Sequence, residues 1–172
     1  CRLYIGMDSG IWDVAHMFNK NNLVINSTGW YLCMPPKYGD LTIIKHYYSK
    51  SLKRFLCVRE LLEESHRLSH DSDFAKQSEF IIMENSPDEI KTVIAEWFNK
   101  RTNSGYTKLQ DIFVVKRRQQ IKRWIEEAKF FKKYPDQAYR FAARYFYQGT
   151  AGRDYLENNW EYGDYLDKMT YA

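Results

Sequence analysis

Asp8, Ser9 and Gly10 stand where a short apolar run, "LYIGM", gives way to residues at helical spacing. A strand that ends in small residues and leads into a helix exposes backbone N–H groups, which together with the helix dipole bind anions, phosphate above all. Gly10 lets a ligand approach the backbone closely, and Ser9 adds a hydroxyl donor. Asp8 can cap the helix or accept a hydrogen bond from a sugar hydroxyl. This chemistry fits a phosphorylated sugar or nucleotide. The alternative is an ordinary capped βα turn, since all three residues are common turn formers.

The elements that must position this turn alternate between strand-like and helix-like segments over the first hundred residues. This alternation predicts an α/β fold built on parallel strands, followed by a helical C-terminal segment. Strands are predicted at 3–6, 23–26, 55–58 and 79–83, and helices at 11–18, 41–51, 60–68, 87–99, 112–133 and 136–147. The clearest boundary is "NSPDEI", where Ser86 is the predicted N-cap and Pro87 the first helical residue.

Four segments, in order, resemble the C-terminal domain of GT-B-type glycosyltransferases, especially heptosyltransferase-like enzymes and related bacterial glycosyltransferases. They are "CRLYIGMDSGIWDVAHMFNKNNLVINSTGW", "KRFLCVRELLEES", "IIMENSPDEIKTVIAEWF" and, more loosely, "GTAGRDYLENNWEYGDYL". The resemblance implies a Rossmann-like sheet with flanking helices. It also implies a nucleotide-diphospho-sugar donor whose diphosphate rests on a helix N-terminus, with no obligatory metal cofactor.

The resemblance also assigns residues to the donor site. Ser9 and Gly10 would contact the diphosphate and Asp8 would support the turn. The next strand would end in the same crevice, where α/β sheets gather ligands, and it would contribute Asn26, Ser27 and Thr28.

Two carboxylates complete the candidate donor site. Asp13 stands where heptosyltransferases usually have His, and a carboxylate facing phosphate would repel it, so Asp13 is expected to point away or to meet a basic group. Glu60 is matched in the family segment and could bind a donor ribose. It could equally cap its helix or form a surface ion pair.

The family places its acceptor site and catalytic base in an N-terminal domain, so no catalytic residue is assigned here. On this interpretation residues 1–102 form the donor-binding domain, residues 103–172 form a helical extension that packs on it, and the partner is an N-terminal acceptor domain outside this chain. The expected location is the cytoplasm, with peripheral contact at the inner face of the membrane as an option.

Charge, cysteine content and the length of apolar runs exclude several classes of protein. The formal net charge is +4, well short of a dedicated nucleic-acid binder, and three cysteines without metal-site spacing predict reduced thiols. No apolar run approaches the roughly 20 residues that cross a bilayer.

Two further patterns leave alternatives open. "VVKRRQQIKRWIEEAKFFKK" combines an apolar stripe with many Lys and Arg, which suits either a core-packed helix with a solvated face or contact with an anionic membrane or nucleic acid. A non-catalytic interaction domain is therefore the alternative function. His66 and His70 have helical spacing, but a solvated helix end is favoured over a metal site.

Overall fold

The computed structural model describes residues 2–7, 10–28, 37–63, 79–103, 105–127, 132–136 and 148–161. The strands are β1 (Leu3–Gly6), β2 (Asn21–Ser27), β3 (Leu41–Ile44), β4 (His46–Ser49), β5 (Arg54–Phe55), β6 (Phe80–Met83) and β7 (Thr150–Ala151). The helices are α1 (Gly10–Met17), α2 (58–63), α3 (Pro87–Asn103), α4 (Lys108–Glu127) and α5 (Arg153–Asn159).

The main layer is a four-stranded parallel sheet in the order β1-β2-β3-β7, and helices flank it. This confirms the predicted α/β, Rossmann-like class. The strand β7 comes from the range assigned to the helical extension, and it pairs with β3 through Leu41–Thr150 and Thr42–Ala151. Residues from both predicted domains therefore share one sheet.

The predicted helix over 41–51 is wrong, because this segment forms strands β3 and β4 with Lys45 between them. All four residues of β3 are buried. A short, β-branched apolar run buried on both faces suits a central parallel strand, and Thr42, Ile43 and Ile44 supply it. The aromatic pair Tyr47 and Tyr48 continues the strand preference into β4.

A second, antiparallel sheet has the order β5-β4-β6. The strands predicted near residues 55 and 80 are found here, not in the parallel sheet. The first of them is shorter than predicted, since β5 ends at Phe55 and α2 already begins at residue 58. β4 is thus a bridge between the sheets, because it follows β3 directly and pairs with both β5 and β6.

The helix α3 begins where the sequence predicts. Ser86 Oγ accepts from the Glu89 amide at 3.2 Å, and Glu89 Oε2 accepts from the Ser86 amide at 2.8 Å, which is a capping box. α3 packs against β3 and β2, and α5 packs against α3 and α4. One core joins the sheet and these helices and includes Leu23, Leu41, Ile43, Val93, Trp97, Phe113 and Leu156.

Asp40 organises the amino ends of the parallel strands. This fully buried carboxylate accepts from the Asn22 amide at 2.8 Å and from Asn22 Nδ2 at 3.2 Å. Burial raises the pKa of Asp40. Its carbonyl accepts from the Thr150 amide at 3.2 Å, so one residue joins the starts of β2, β3 and β7.

Candidate functional site

The candidate site lies at the carboxyl ends of the parallel strands. There β1 ends at Gly6, β2 at Ser27, β3 at Ile44 and β7 at Ala151. The first βα unit has the predicted form, since three residues separate the end of β1 at Gly6 from the start of α1 at Gly10. Asp8 and Ser9 themselves lie outside the described residues. The end of β1 and the first residue of α1 therefore lie at the sheet edge where α/β proteins bind ligands.

The first turn of α1 combines amide groups with one acid. Gly10 is the first helical residue, and Asp13 falls in the first turn with an exposed side chain. The N–H groups of a first turn have no partner within their own helix, which is why helix starts bind anions. The exposed carboxylate of Asp13 weakens that positive field without filling the site.

Asn26 and Asn85 form a reciprocal clamp at the end of β2. The Asn26 amide donates to Asn85 Oδ1 at 3.1 Å, and the Asn85 amide donates to Asn26 Oδ1 at 2.6 Å. Asn26 has a left-handed backbone with φ of 50°, where β2 departs from its register with β3. Asn85 Nδ2 also donates to the Ile44 carbonyl at 2.8 Å. The clamp thus fixes the ends of β2 and β3 relative to the segment before α3.

Ser27 and Thr28 follow this clamp. Ser27 is fully buried, and its carbonyl accepts from the Lys45 amide at 2.7 Å. Thr28 is half-buried, and its carbonyl accepts from the Tyr47 hydroxyl at 2.5 Å. Thr28 is therefore better placed than Ser27 to present a side chain to a ligand at this edge.

Lys45 supplies a positive charge immediately after β3. Its ammonium group pairs with Glu84 at 2.8 Å; Lys45 is largely buried, whereas Glu84 is exposed. An exposed carboxylate in a surface ion pair is held weakly, because water solvates it well. An anion at the sheet edge can therefore compete with Glu84 for the Lys45 charge.

His46 and Glu89 form a largely buried pair beside Lys45. His46 Nε2 lies 3.0 Å from Glu89 Oε2, the same oxygen that accepts from the Ser86 amide. Burial by itself raises the pKa of Glu89, but the hydrogen bond and charge of His46 and the bonds from Ser86 lower it to about 2. Glu89 is thus a carboxylate that stays ionised and ties β4 to the start of α3.

Glu60 is engaged within its own segment. Its two carboxylate oxygens accept from Arg54 Nη1 at 2.9 Å and Nη2 at 2.8 Å, which is a bidentate pair. Glu60 Oε2 also accepts from the Cys57 amide at 3.0 Å and so caps α2. Of the three roles left open for Glu60, these contacts match the helix cap and the ion pair.

The basic helix predicted at 112–133 is α4 as far as Glu127. Its apolar stripe packs inward through the buried Val114 and Ile121. Two of its lysines form ion pairs, Lys116 with Glu63 at 3.4 Å and Lys122 with Glu126 at 3.9 Å. These contacts are those of a core-packed helix with a solvated face.

The described ranges contain neither a candidate metal site nor a membrane-spanning helix. No group of three or more His, Cys, Asp or Glu side chains there could hold a metal ion, and His66 and His70 lie outside those ranges. No helix in the same ranges combines the length and apolar character needed to cross a bilayer.

Sequence reasoning missed one part of this region. The sequence predicts the Ser86 cap but not the role of His46, because residues 41–51 are predicted to form a helix. Glu89 lies in the acidic first turn of α3, three residues after Ser86, and this spacing is the sequence signature of a capping box.

Comparison with protein-family models, with curated proteins and with solved structures gave no match.

Proposed function

We propose that this chain is the donor-binding part of a GT-B-type glycosyltransferase, which holds a nucleotide-diphospho-sugar and transfers the sugar to an acceptor. The observation that carries the proposal is the β1–α1–β2 unit. In this unit β1 ends at the carboxyl edge of a parallel sheet, and α1 begins at Gly10. That edge is where such sheets bind nucleotides, and a helix N-terminus suits a diphosphate.

The proposed mechanism is electrostatic. The acceptor hydroxyl attacks the anomeric carbon, the bond from that carbon to the diphosphate oxygen breaks, and the bonding electrons leave with the nucleotide diphosphate. The first N–H groups of α1 stabilise the charge that develops there. Lys45 follows β3, which lies two strand spacings from β1, or about 10 Å, and it can add a counter-charge. The acceptor and the catalytic base come from the proposed N-terminal domain.

A thermal-shift panel with UDP, GDP, ADP and CDP tests the proposal. At saturating ligand, at least one nucleotide is expected to raise the melting temperature. Ser9→Asp should abolish that shift while the protein stays folded, because an acid at a helix start is compatible with the helix but repels a diphosphate. Gln119→Glu makes the same change of charge at an exposed position of α4 and should retain the shift.

A substitution at Asp13 should strengthen nucleotide binding, whereas Ser9→Asp should abolish it. Asp13→Asn removes an exposed negative charge from the first turn of α1, so the same nucleotide should bind about two- to fivefold more tightly at low ionic strength. Asp154→Asn is the matched control, since Asp154 is an exposed acid in the first turn of α5. Calorimetry measures both affinities. Absence of any nucleotide shift in the native chain would remove the transferase proposal and leave a non-catalytic interaction domain.

A further inference from the structure

Lys45 and Glu84 are cross-strand neighbours immediately after β3 and β6. The antiparallel register of β4 and β6 pairs His46 with Met83, and one further step brings Lys45 opposite Glu84. The two side chains meet there, with Lys45 Nζ 2.8 Å from Glu84 Oε1. Opposite charges at directly facing positions of two strands attract one another. The strand register therefore sets the position of this ion pair.

The clamp at the end of β2 fixes the backbone on both sides of the ion pair. Asn85 follows Glu84 directly, and its Nδ2 donates at 2.8 Å to the carbonyl of Ile44, the residue before Lys45. The Lys45 amide in turn donates to the Ser27 carbonyl at 2.7 Å. Movement of the Glu84 carboxylate away from Lys45 is thus a rotation of the side chain that leaves the strands in place.

The two partners differ in how deeply they are buried. The Lys45 side chain is 14% exposed, whereas that of Glu84 is 60% exposed. A largely buried ammonium group loses much of its hydration and needs an opposite charge beside it. A carboxylate that water solvates well gains little from the same contact. Lys45 therefore needs an anionic partner more than Glu84 needs Lys45.

We propose that Glu84 is a built-in competitor at Lys45: its carboxylate occupies the ammonium group in the free protein and is displaced by a phosphate group of the ligand. The inference rests on the proposed function for the class of that ligand, a diphosphate, and it adds a regulation of the same site. A phosphate group brings at least as much negative charge as the carboxylate, so the ammonium group stays paired after the exchange. Because the ligand must displace Glu84, the apparent affinity falls with the fraction of molecules in which Lys45 is occupied.

Calorimetric titration with inorganic pyrophosphate at low ionic strength tests this proposal independently of the nucleotide base. Glu84→Gln removes the competing charge and keeps the size of the side chain. We expect it to bind pyrophosphate about three- to fivefold more tightly than the native chain does, because it no longer has an ion pair to break. Glu79→Gln is the matched control, since Glu79 is an exposed acid just before β6, roughly 16 Å along the strand from Glu84. It should bind like the native chain.

A second background shows whether the gain acts through Lys45. Lys45→Met removes the ammonium group and keeps an unbranched stem that can pack at the strand end. This variant should bind pyrophosphate more weakly than the native chain does. Addition of Glu84→Gln to it should give no gain in affinity, because no ammonium group remains for which the two anions compete. Circular dichroism checks that each variant is folded.

The results separate the role of Glu84 from the proposed function. Equal pyrophosphate affinity of the native chain and Glu84→Gln, an equal gain in Glu79→Gln, a gain that persists without Lys45, or no binding by either protein would overturn the competitor role. A nucleotide that binds equally to the native chain and Glu84→Gln would also overturn it, but would leave the transferase proposal standing. A gain for pyrophosphate without binding of any of the four nucleotides would support the competitor role and remove the transferase proposal.

Discussion

At the scale of single residues, the side chain of Asn85 makes hydrogen bonds to backbone groups that a regular strand pairing would otherwise make. Its amide oxygen accepts from the Asn26 backbone and its Nδ2 donates to Ile44, while its own backbone donates to Asn26 Oδ1. The left-handed backbone of Asn26 breaks the ladder between β2 and β3, and the polar groups freed by that break need new partners. Asn85 supplies them.

Asn85→Ala should therefore lower the free energy of unfolding by about 3 kcal/mol, because buried groups lose their partners. Urea denaturation measures this loss. Asn158→Ala is the control on exposed α5 surface and should cost less than about 0.5 kcal/mol. Equal effects of the two substitutions would contradict the structural role of the clamp.

Glu89 gives the molecule a defined acid sensitivity. Its pKa is about 2 in the folded protein against an ordinary value of 4.5. A carboxylate with a lowered pKa adds stability above pH 4.5 and loses it as the pH falls towards 2. The contribution is on the order of 3 kcal/mol.

Glu89→Gln should reduce the change of the unfolding free energy with pH between pH 4.5 and 2. We expect the gap in unfolding free energy between native chain and variant to be widest above pH 4.5 and to narrow as the pH approaches 2. Urea unfolding at a series of pH values measures it. Glu84→Gln removes an exposed carboxylate and should keep the native profile. If the difference in unfolding free energy between the native chain and Glu89→Gln stayed constant across this pH range, the ionised carboxylate of Glu89 would not be the source of the acid sensitivity.

Residue-level prediction succeeded where the chemistry is local. The cap at Ser86 depends on residues three apart, and the structure confirms it. The partners of Glu60 are also local, since Arg54 and Cys57 lie within six residues of it. Asn26 and Asn85 are 59 residues apart in the sequence, so no local pattern could indicate the two hydrogen bonds between them.

At the scale of elements, the segment 41–51 explains why periodicity can mislead. Its apolar and aromatic residues occur densely enough to satisfy helical spacing, but its β-branched content favours strands. What decides the outcome is its central position, with β2 on one side and β7 on the other. That tertiary position is not encoded in the spacing of the segment itself.

The helix α5 depends on a close approach to α3. The Arg153 amide donates to Glu96 Oε2 at 2.6 Å, and a Cβ added at Gly152 would lie 2.9 Å from Val93 Cγ2. Gly152→Ala should therefore push α5 away and lower the free energy of unfolding by about 1–3 kcal/mol.

Thermal unfolding of Gly152→Ala measures this cost. Gly105→Ala is the matched control, because among the described residues an added Cβ there would meet Tyr38 Oη alone, at an ordinary contact distance of 3.7 Å. It should leave stability unchanged or raise it slightly. A Gly152→Ala protein as stable as the control would mean that α5 does not need this contact.

At the scale of the whole molecule, the α/β class followed from alternation, and the first βα unit was predicted almost to the residue. The sheet order was not predictable. β7 is two residues long, too short to carry any period, and it joins the sheet from more than a hundred residues beyond β3. Its place depends on long-range contacts such as those from Thr150 to Asp40 and Gln110.

The central claim is that a nucleotide diphosphate binds at the start of α1. The most direct measurement is a ¹⁵N–¹H chemical-shift titration with the nucleotide that gives the largest thermal shift in the panel. We expect saturable shifts that are largest for the amides of residues 8–12, with smaller ones at Thr28 and Lys45. Shifts confined to α4 or scattered over the surface would contradict it, as would a spectrum that none of the four nucleotides changes.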